Sequence, residues 1–296
     1  MPTCREEALM NSKQVHRVLI VANWGKEEAH SLSATICSYI EEKGIKCVVW
    51  RTTVEQDKPI IAADTDLVIC LGGDGTVLYC ARYLQPLGVP ILAINLGTFG
   101  YITEISVDEW QEAVDRFLEG SYTLSRRLMI RVGVYRKGER VFTAHGLNEI
   151  VVSSSGISKV IGMSLKVGET HAGYFRADGM IIATPTGSTA YSLAAGGPIL
   201  DAELSTLLIT PICPFTLSNR PLVLNADSLI TLTIAPNQRT GVVLSVDGQQ
   251  NFALQEGDEL IVEKSRSKTL LVTSEQRNYI EVLREKLNWA GGAEHA

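Results

Sequence analysis

From residue 18 to about residue 120, short continuous apolar runs alternate with stretches in which apolar residues recur every three or four positions. That alternation predicts a parallel sheet built from β-α-β units. Val18 to Ala22 is the first expected strand. Leu32, Ile36 and Ile40 then fall at i, i+4 and i+8, one stripe of a helix that Gly44 should stop. Lys46 to Trp50, Leu67 to Leu71 and Ile91 to Ile94 read as further strands, rich in the Val, Ile and Cys expected of buried strands. Thr76 to Leu84 is expected to form a short helix. Ser106 and Glu109 stand at capping-box spacing before Trp110, Val114 and Phe117, and Gly120 should close that helix.

Around Ser125 the period changes to two. Leu128, Ile130, Val132 and Val134 share one face before Lys137-Gly138, and Ile230, Leu232 and Ile234 repeat the alternation. Turn residues recur at Val167-Gly168-Glu169, Asp178-Gly179, Asp247-Gly248 and Glu256-Gly257-Asp258, so most of 126–272 should be antiparallel. After Thr273, Gln276 at capping-box spacing and Ile280, Leu283 and Leu287 on one face predict an amphipathic helix. The expected fold is an open parallel, Rossmann-like α/β domain (1–125) followed by a mostly antiparallel, sandwich-like β domain (126–272). The final segment (273–296) is expected to be a helix packing back on the first domain.

Composition narrows the class. The 296 residues are enough for two cores, and 45% apolar with 20% charged residues is ordinary for a globular protein. The net charge of −6 gives no global basic field for nucleic acid or anionic lipid, so an anionic ligand must be met locally. The start, Met1-Pro-Thr-Cys-Arg-Glu-Glu, lacks a secretory pattern, and no apolar run approaches the roughly 20 residues of a membrane span. A cytoplasmic protein is expected. The six cysteines form no CxxC pair and the five histidines lack ligand spacing, which points to buried, reduced thiols and away from structural zinc.

The segment richest in chemistry is Leu71-Gly72-Gly73-Asp74-Gly75-Thr76, at the end of an expected buried strand and before a helix. Open α/β sheets bind ligands there, glycines let backbone approach phosphate, and amides at the helix start face an anion. Asp74 would repel phosphate unless a metal or a hydroxyl intervenes, which suggests work on an acceptor alcohol. It is neither a Walker loop nor a GxGxxG fingerprint, and a plain Gly-Asp-Gly turn is the bland alternative. A second segment, Arg176 to Tyr191 followed by Ser192 to Gly197, is crowded with hydroxyls and small residues. Thr186, Ser188, Thr189 and Tyr191 could serve a polar ligand, although hydroxyl-rich loops are also common caps. Asn148-Glu149 interrupts an apolar strand, and suits a base edge or ribose diol as well as a solvated strand face. Ser245-Val246-Asp247-Gly248-Gln249 reads as a type I′ hairpin turn with no function of its own.

Together these segments resemble the NAD kinase family. The resemblance runs in order through Gly72-Gly73-Asp74-Gly75, Asn95 to Thr103 (NLGTFGYIT), Asn148-Glu149, Asp178-Gly179, Thr184 to Tyr191 (TPTGSTAY), Gly196-Gly197-Pro198, Ser218 to Pro221 and Asp247 to Gln249. Lipid kinases and phosphofructokinases are similar at GGDG alone; GGDG with TPTGSTAY is specific. The resemblance implies Asp74 as the catalytic acid/base, with Gly72, Gly73, Gly75 and Thr76 forming the phosphate loop. It implies NAD contacts from Asp74, Gly75, Tyr101, Asn148, Glu149, Lys159, Arg176, Asp178, Thr186, Thr189, Ala190, Tyr191, Ser192, Leu193, Ala194 and Gln249. No metal-ligating residue is assigned. Implied co-substrates are NAD and a nucleoside triphosphate, ATP by preference, with Mg²⁺ as divalent metal; a homo-oligomer, dimer or tetramer, is implied as well. Phe215 stands where many members have His, and Tyr101 where Phe is usual. The rivals are a lipid or sugar kinase sharing the glycine loop and a non-catalytic dinucleotide sensor. Polyphosphate stays open as donor, as does NADH as acceptor.

Overall fold

The computed structural model describes residues 14–52, 61–97, 100–156, 159–216 and 218–289. Thr98 and Phe99 of the NLGTFGYIT segment, Cys4, and the last seven residues of the expected tail helix lie outside them. The described residues divide into two compact units, 1–126 with 270–296, and 127–269.

In the first unit, β1 (Arg17–Asn23), β2 (Lys46–Thr52), β3 (Leu67–Gly72) and β4 (Ile91–Asn95) form a parallel sheet in the order β2-β1-β3-β4. Every residue of β3 and β4 is buried, which is why both read as unbroken apolar runs. Helix α1 (Glu27–Glu42) buries Ala29, Ser33, Ile36 and Ile40, and Gly44 at φ +76 ends it. Helix α2 (Asp74–Leu84) starts two residues earlier than expected, so Asp74 itself lies in its first turn, where a negative charge suits the helix dipole. Helix α3 (Trp110–Leu118) follows a turn in which the Ser106 amide donates to Glu109 Oε2 at 3.0 Å, and Gly120 at φ +76 stops it.

The second unit is two antiparallel sheets face to face. Its strands are β5 (Leu124–Arg136), β6 (Glu139–Gly146), β7 (Glu149–Ser154), β8 (Ile161–Val167), β9 (Thr170–Ala177), β10 (Gly179–Ala183), β11 (Thr206–Ile212), β12 (Leu222–Asn225), β13 (Ile230–Ile234), β14 (Val242–Val246), β15 (Gln250–Leu254) and β16 (Glu259–Val272). One sheet holds β9, β8, β13, β16, β5 and β6; the other runs β12-β11-β10-β7-β14-β15. Leu128, Ile130 and Val132 of the first meet Ile150, Val152, Met180 and Leu244 of the second in one core, as period-two strands require. The outer face of the second sheet is covered too: Val151, Ile181, Ala183 and Leu208 pack with Ala195 and Leu200. That double covering explains the continuous apolar runs of β7 and β10.

Three expectations need correction. Asp178-Gly179 is no hairpin turn: β9 pairs with β8 in one sheet and β10 with β7 and β11 in the other, so residue 178 is the crossing between sheets. A side chain at 179 would sit 2.5 Å from the Val152 carbonyl oxygen, which reserves the position for glycine. The C-terminal helix, α4 (Tyr279–Lys286), is capped by Asn278 and Glu281 instead of Thr273 and Gln276. Its buried face is Val282 and Leu283, with Ile280 61% exposed, because the start shifts by one and a half turns. Cys213 is exposed at φ +43, unlike the buried Cys70 and Cys80. Among the described residues, no helix is long and apolar enough to cross a membrane.

Candidate functional site

In the first unit the candidate chemistry converges on Asp74. Tyr101 N–H donates to Oδ2 at 2.8 Å. Ile102 N–H, Thr103 N–H and the Thr103 hydroxyl all donate to Oδ1 at 3.1 Å. Charge-assisted bonds of this kind are about twice as strong as neutral ones, so the carboxylate is held in one orientation. Sequence provides the room. A methyl at Gly100 would lie 2.5 Å from Oδ2 and closer still to Oδ1. A methyl at Gly72 would lie 2.8 Å from Thr76 Cβ and closer to its hydroxyl, so the buried Thr76 can pack under the loop only beside glycine. Gly73 and Gly75 are partly open and exposed, respectively. Burial, with the Asp74 charge second, raises the Tyr101 phenol above its ordinary value. The Lys286 ammonium of α4 lies 6.0 Å from the centre of that ring.

In the second unit a different set comes together. Asn148 and Glu149, at the start of β7, are both more than nine-tenths buried, which removes the solvated-face reading. Their backbone is clamped by Asp247: its carboxylate accepts from Leu147 N (2.7 Å), Asn148 N (2.9 Å) and Glu149 N (3.0 Å). The Asp247-Gly248 turn is type I′ as expected, with both residues at positive φ and Gln249 N–H closing onto Val246 O at 3.0 Å. Its clamping role was not foreseen. Thr184 to Thr189 turns beside the same pair: Thr184 N–H donates to Asn148 O at 2.8 Å. A methyl at Gly187 would lie 2.5 Å from the Asn148 carbonyl carbon, which fixes glycine in TPTGSTAY.

Several hydroxyls of that segment are used internally. Ser188 Oγ donates to Pro185 O (2.7 Å) and accepts from Leu200 N (3.0 Å), Thr189 Oγ1 donates to Thr186 O (3.2 Å), and Ser192 Oγ pairs with Thr210 Oγ1 (2.8 Å). By contrast, Asn148 Oδ1, Glu149 Oε2 and Thr186 Oγ1 are buried without a hydrogen-bond partner. Three orphaned polar atoms in one place are what a missing polar ligand leaves behind. Ala190 precedes a one-turn helix, Tyr191–Ala194, that carries Leu193 and leaves Tyr191 exposed.

The expected NAD contacts in this unit fall into two groups. Gly179 pairs with Ser153 and Ala183 with Glu149, so Asp178 lies at one end of the β7–β10 ladder and Thr184 at the other. Lys159 and Arg176 belong to the Asp178 end, where Arg176 lies 5.2 Å from the centre of the Phe215 ring. Asp178 and Thr184 are roughly 20 Å apart along the strand at 3.3 Å per residue. Gln249, next to the Asp247 turn, stays with Asn148 and Glu149.

Glu149 has an unusual proton affinity. Burial, then the Asp247 charge, pushes its carboxyl from 4.5 to about 8. The folded chain therefore keeps this proton where the unfolded chain has lost it. Stability from this group is full below pH 4.5 and is lost as pH rises to about 8. The loss is about 5 kcal/mol at 1.36 kcal/mol per pH unit. Glu149→Gln should flatten the decline in melting temperature between pH 5 and 8; an unchanged slope in a thermal-shift titration would assign the pH dependence elsewhere.

Among the described residues, no three His, Cys, Asp or Glu side chains come together to hold a metal ion.

Two family models match the chain. Residues 18–122 match the family model described as ATP-NAD kinase N-terminal domain, and 147–274 match ATP-NAD kinase C-terminal domain. The NAD kinase of Treponema denticola is 41% identical over 277 residues, 94% of this chain and 98% of its relative. Yeast NADH kinase, solved with NADH, superposes with a TM-score of 0.86 at 26% identity, covering 96% of this chain and 90% of that one. The NAD kinase of Archaeoglobus fulgidus, solved with ATP, gives 0.73 at 25%, covering 92% and 98%. With the glycine loop, the clamped carboxylate and both domain models in one chain, this protein belongs to the NAD kinase family.

Proposed function

We propose that this chain transfers the terminal phosphoryl group of ATP to the 2′-hydroxyl of the adenosine ribose of NAD, giving NADP, with Asp74 at the acceptor hydroxyl. The observation that carries the assignment is the asymmetry of the carboxylate: Oδ1 accepts three hydrogen bonds and Oδ2 one. Oδ1 anchors the group, and Oδ2 keeps a lone pair for the substrate hydroxyl. Asp74 accepts that hydroxyl's hydrogen bond, aligns its oxygen with the phosphoryl group, and takes the proton late. Phosphoryl transfer has a loose transition state, so alignment contributes more than early deprotonation.

Gly72, Gly73, Gly75 and Thr76 bring backbone to the phosphates, and Tyr101 offers a ring to a base. Asn148 Oδ1, Glu149 Oε2 and Thr186 Oγ1 find their missing partners in the adenosine, beside Thr189, Ala190, Tyr191, Ser192, Leu193, Ala194 and Gln249. Lys159, Arg176 and Asp178, at the far end of the β7–β10 ladder, serve the NAD of a neighbouring copy in a homo-oligomer, a dimer or tetramer. A divalent cation, Mg²⁺ in this reading, comes with the triphosphate and offsets its charge. The protein works in the cytoplasm.

The test is direct. Purified protein with NAD, ATP and Mg²⁺, coupled to a dehydrogenase that accepts only NADP, should reduce its dye in proportion to enzyme added. No signal above the protein-free control would reject the assignment.

A further inference from the structure

The loop after β1 carries a lysine that the acceptor chemistry does not use. Lys26 follows β1, and its ammonium donates to the carbonyl of Leu96, which follows β4. β3 lies between those two strands in the sheet, so the Lys26 side chain crosses the carboxyl end of β3, where Gly72 and Gly73 sit. Leu96 N–H in turn donates to Gly72 O at 2.8 Å, which ties the lysine's acceptor to the glycine loop. Among the described residues the ammonium has this one acceptor and no carboxylate partner, leaving two of its three donors for a ligand.

The surroundings suit an anion. The place a Cβ would occupy on Gly73 has no atom within 4 Å, and α2 begins there without a side-chain cap. Gly97, at φ +124, would bring a Cβ to 3.4 Å from the ammonium, so glycine keeps that flank open. Arg51, one residue from the end of β2, lies 4.5 Å from the centre of the Trp24 ring and adds a second positive charge at the same end of the sheet. A chain of net charge −6 with a carboxylate at its phosphate loop needs such local cations before a triphosphate can approach.

We propose that Lys26 binds the phosphate-anhydride chain of the phosphoryl donor, above the Gly72-Gly73 turn. This rests on the phosphoryl-transfer reading given above. Lys26 then does for this loop what the lysine of a Walker sequence does elsewhere, from a different strand and about 50 residues upstream.

The experiment begins with wild-type protein making NADP from NAD and ATP; failure there rejects the reaction and not the lysine. Lys26→Met, which keeps the stem and removes the charge, should raise KM for ATP about 10- to 100-fold, the range for losing a charged hydrogen bond. KM for NAD and the melting temperature should stay near wild type, and Lys26→Arg should recover part of the loss. An unchanged KM for ATP overturns the proposal. Equal rises in both KM values with a lowered melting temperature also overturn it, by making Lys26 a tether for Leu96. Acetic anhydride labelling of wild-type protein, read by mass spectrometry, needs no variant to fold. ATP and tripolyphosphate should slow modification of Lys26 while NAD does not; protection by NAD alone, or by none of them, overturns the proposal.

Discussion

Asp74→Asn should lower turnover by about 10²- to 10⁴-fold while leaving NAD affinity within a few-fold of wild type. The carboxamide has the carboxylate's shape but only one acceptor oxygen. Three donors converge on Oδ1, so the amide oxygen will stay there. The NH₂ then replaces Oδ2 and faces the Tyr101 N–H, donor against donor, and it offers the ribose hydroxyl a proton where an acceptor was needed. The fold should tolerate this, because helix α2 and the Gly72 turn do not depend on the second oxygen. Steady-state kinetics with a separate measurement of NAD binding will separate the effects. Turnover within tenfold of wild type would remove Asp74 from the acceptor site.

Gly100→Ala should lower turnover by about 10²-fold through the same carboxylate, without altering any group that touches substrate. The new methyl would fall 2.5 Å from Asp74 Oδ2 and nearer Oδ1, closer than any two such atoms can approach. Either the carboxylate rotates away from the amides of Tyr101, Ile102 and Thr103, or that segment shifts. A misplacement of about 1 Å is enough for a loss of this size. Overpacking should also cost about 1–3 kcal/mol of stability, visible as a lower melting temperature. Loss of stability with full turnover would mean that the position of the carboxylate is not what the rate depends on.

Much of this was legible in the residues because it is local. The stripe Leu32, Ile36 and Ile40 found α1, and the period-two run from Leu128 to Val134 found β5, since each pattern needs only its own segment. The glycine loop announced itself for the same reason. What stayed hidden depends on partners far along the chain. Asp247 looked like half of a turn, yet its carboxylate binds the amide of Leu147, 100 residues away. Lys26 carries no mark of function in the sequence, yet its ammonium reaches Leu96, 70 residues away. No short-range pattern marks either contact.

The tail helix shows a different failure. Thr273/Gln276 and Asn278/Glu281 both have capping-box spacing, and the pattern alone does not choose. Packing does: burying Val282 and Leu283 requires the later start, and Arg277 ahead of the cap is held by the Glu104 carbonyl at 3.2 Å. Asn148 and Glu149 were ambiguous in another way, since a polar pair within an apolar strand fits solvent as well as ligand. Their burial with orphaned Oδ1 and Oε2 atoms could be read only in three dimensions.

A structure of the wild-type protein with NAD bound tests the assignment of Asp74 most directly, through one distance. The 2′-oxygen of the adenosine ribose should lie within hydrogen-bond reach of Asp74 Oδ2, about 2.6–3.2 Å or one water away. A ribose whose 2′-oxygen is more than about 6 Å from either carboxylate oxygen, beyond the span of one bridging water, would contradict it.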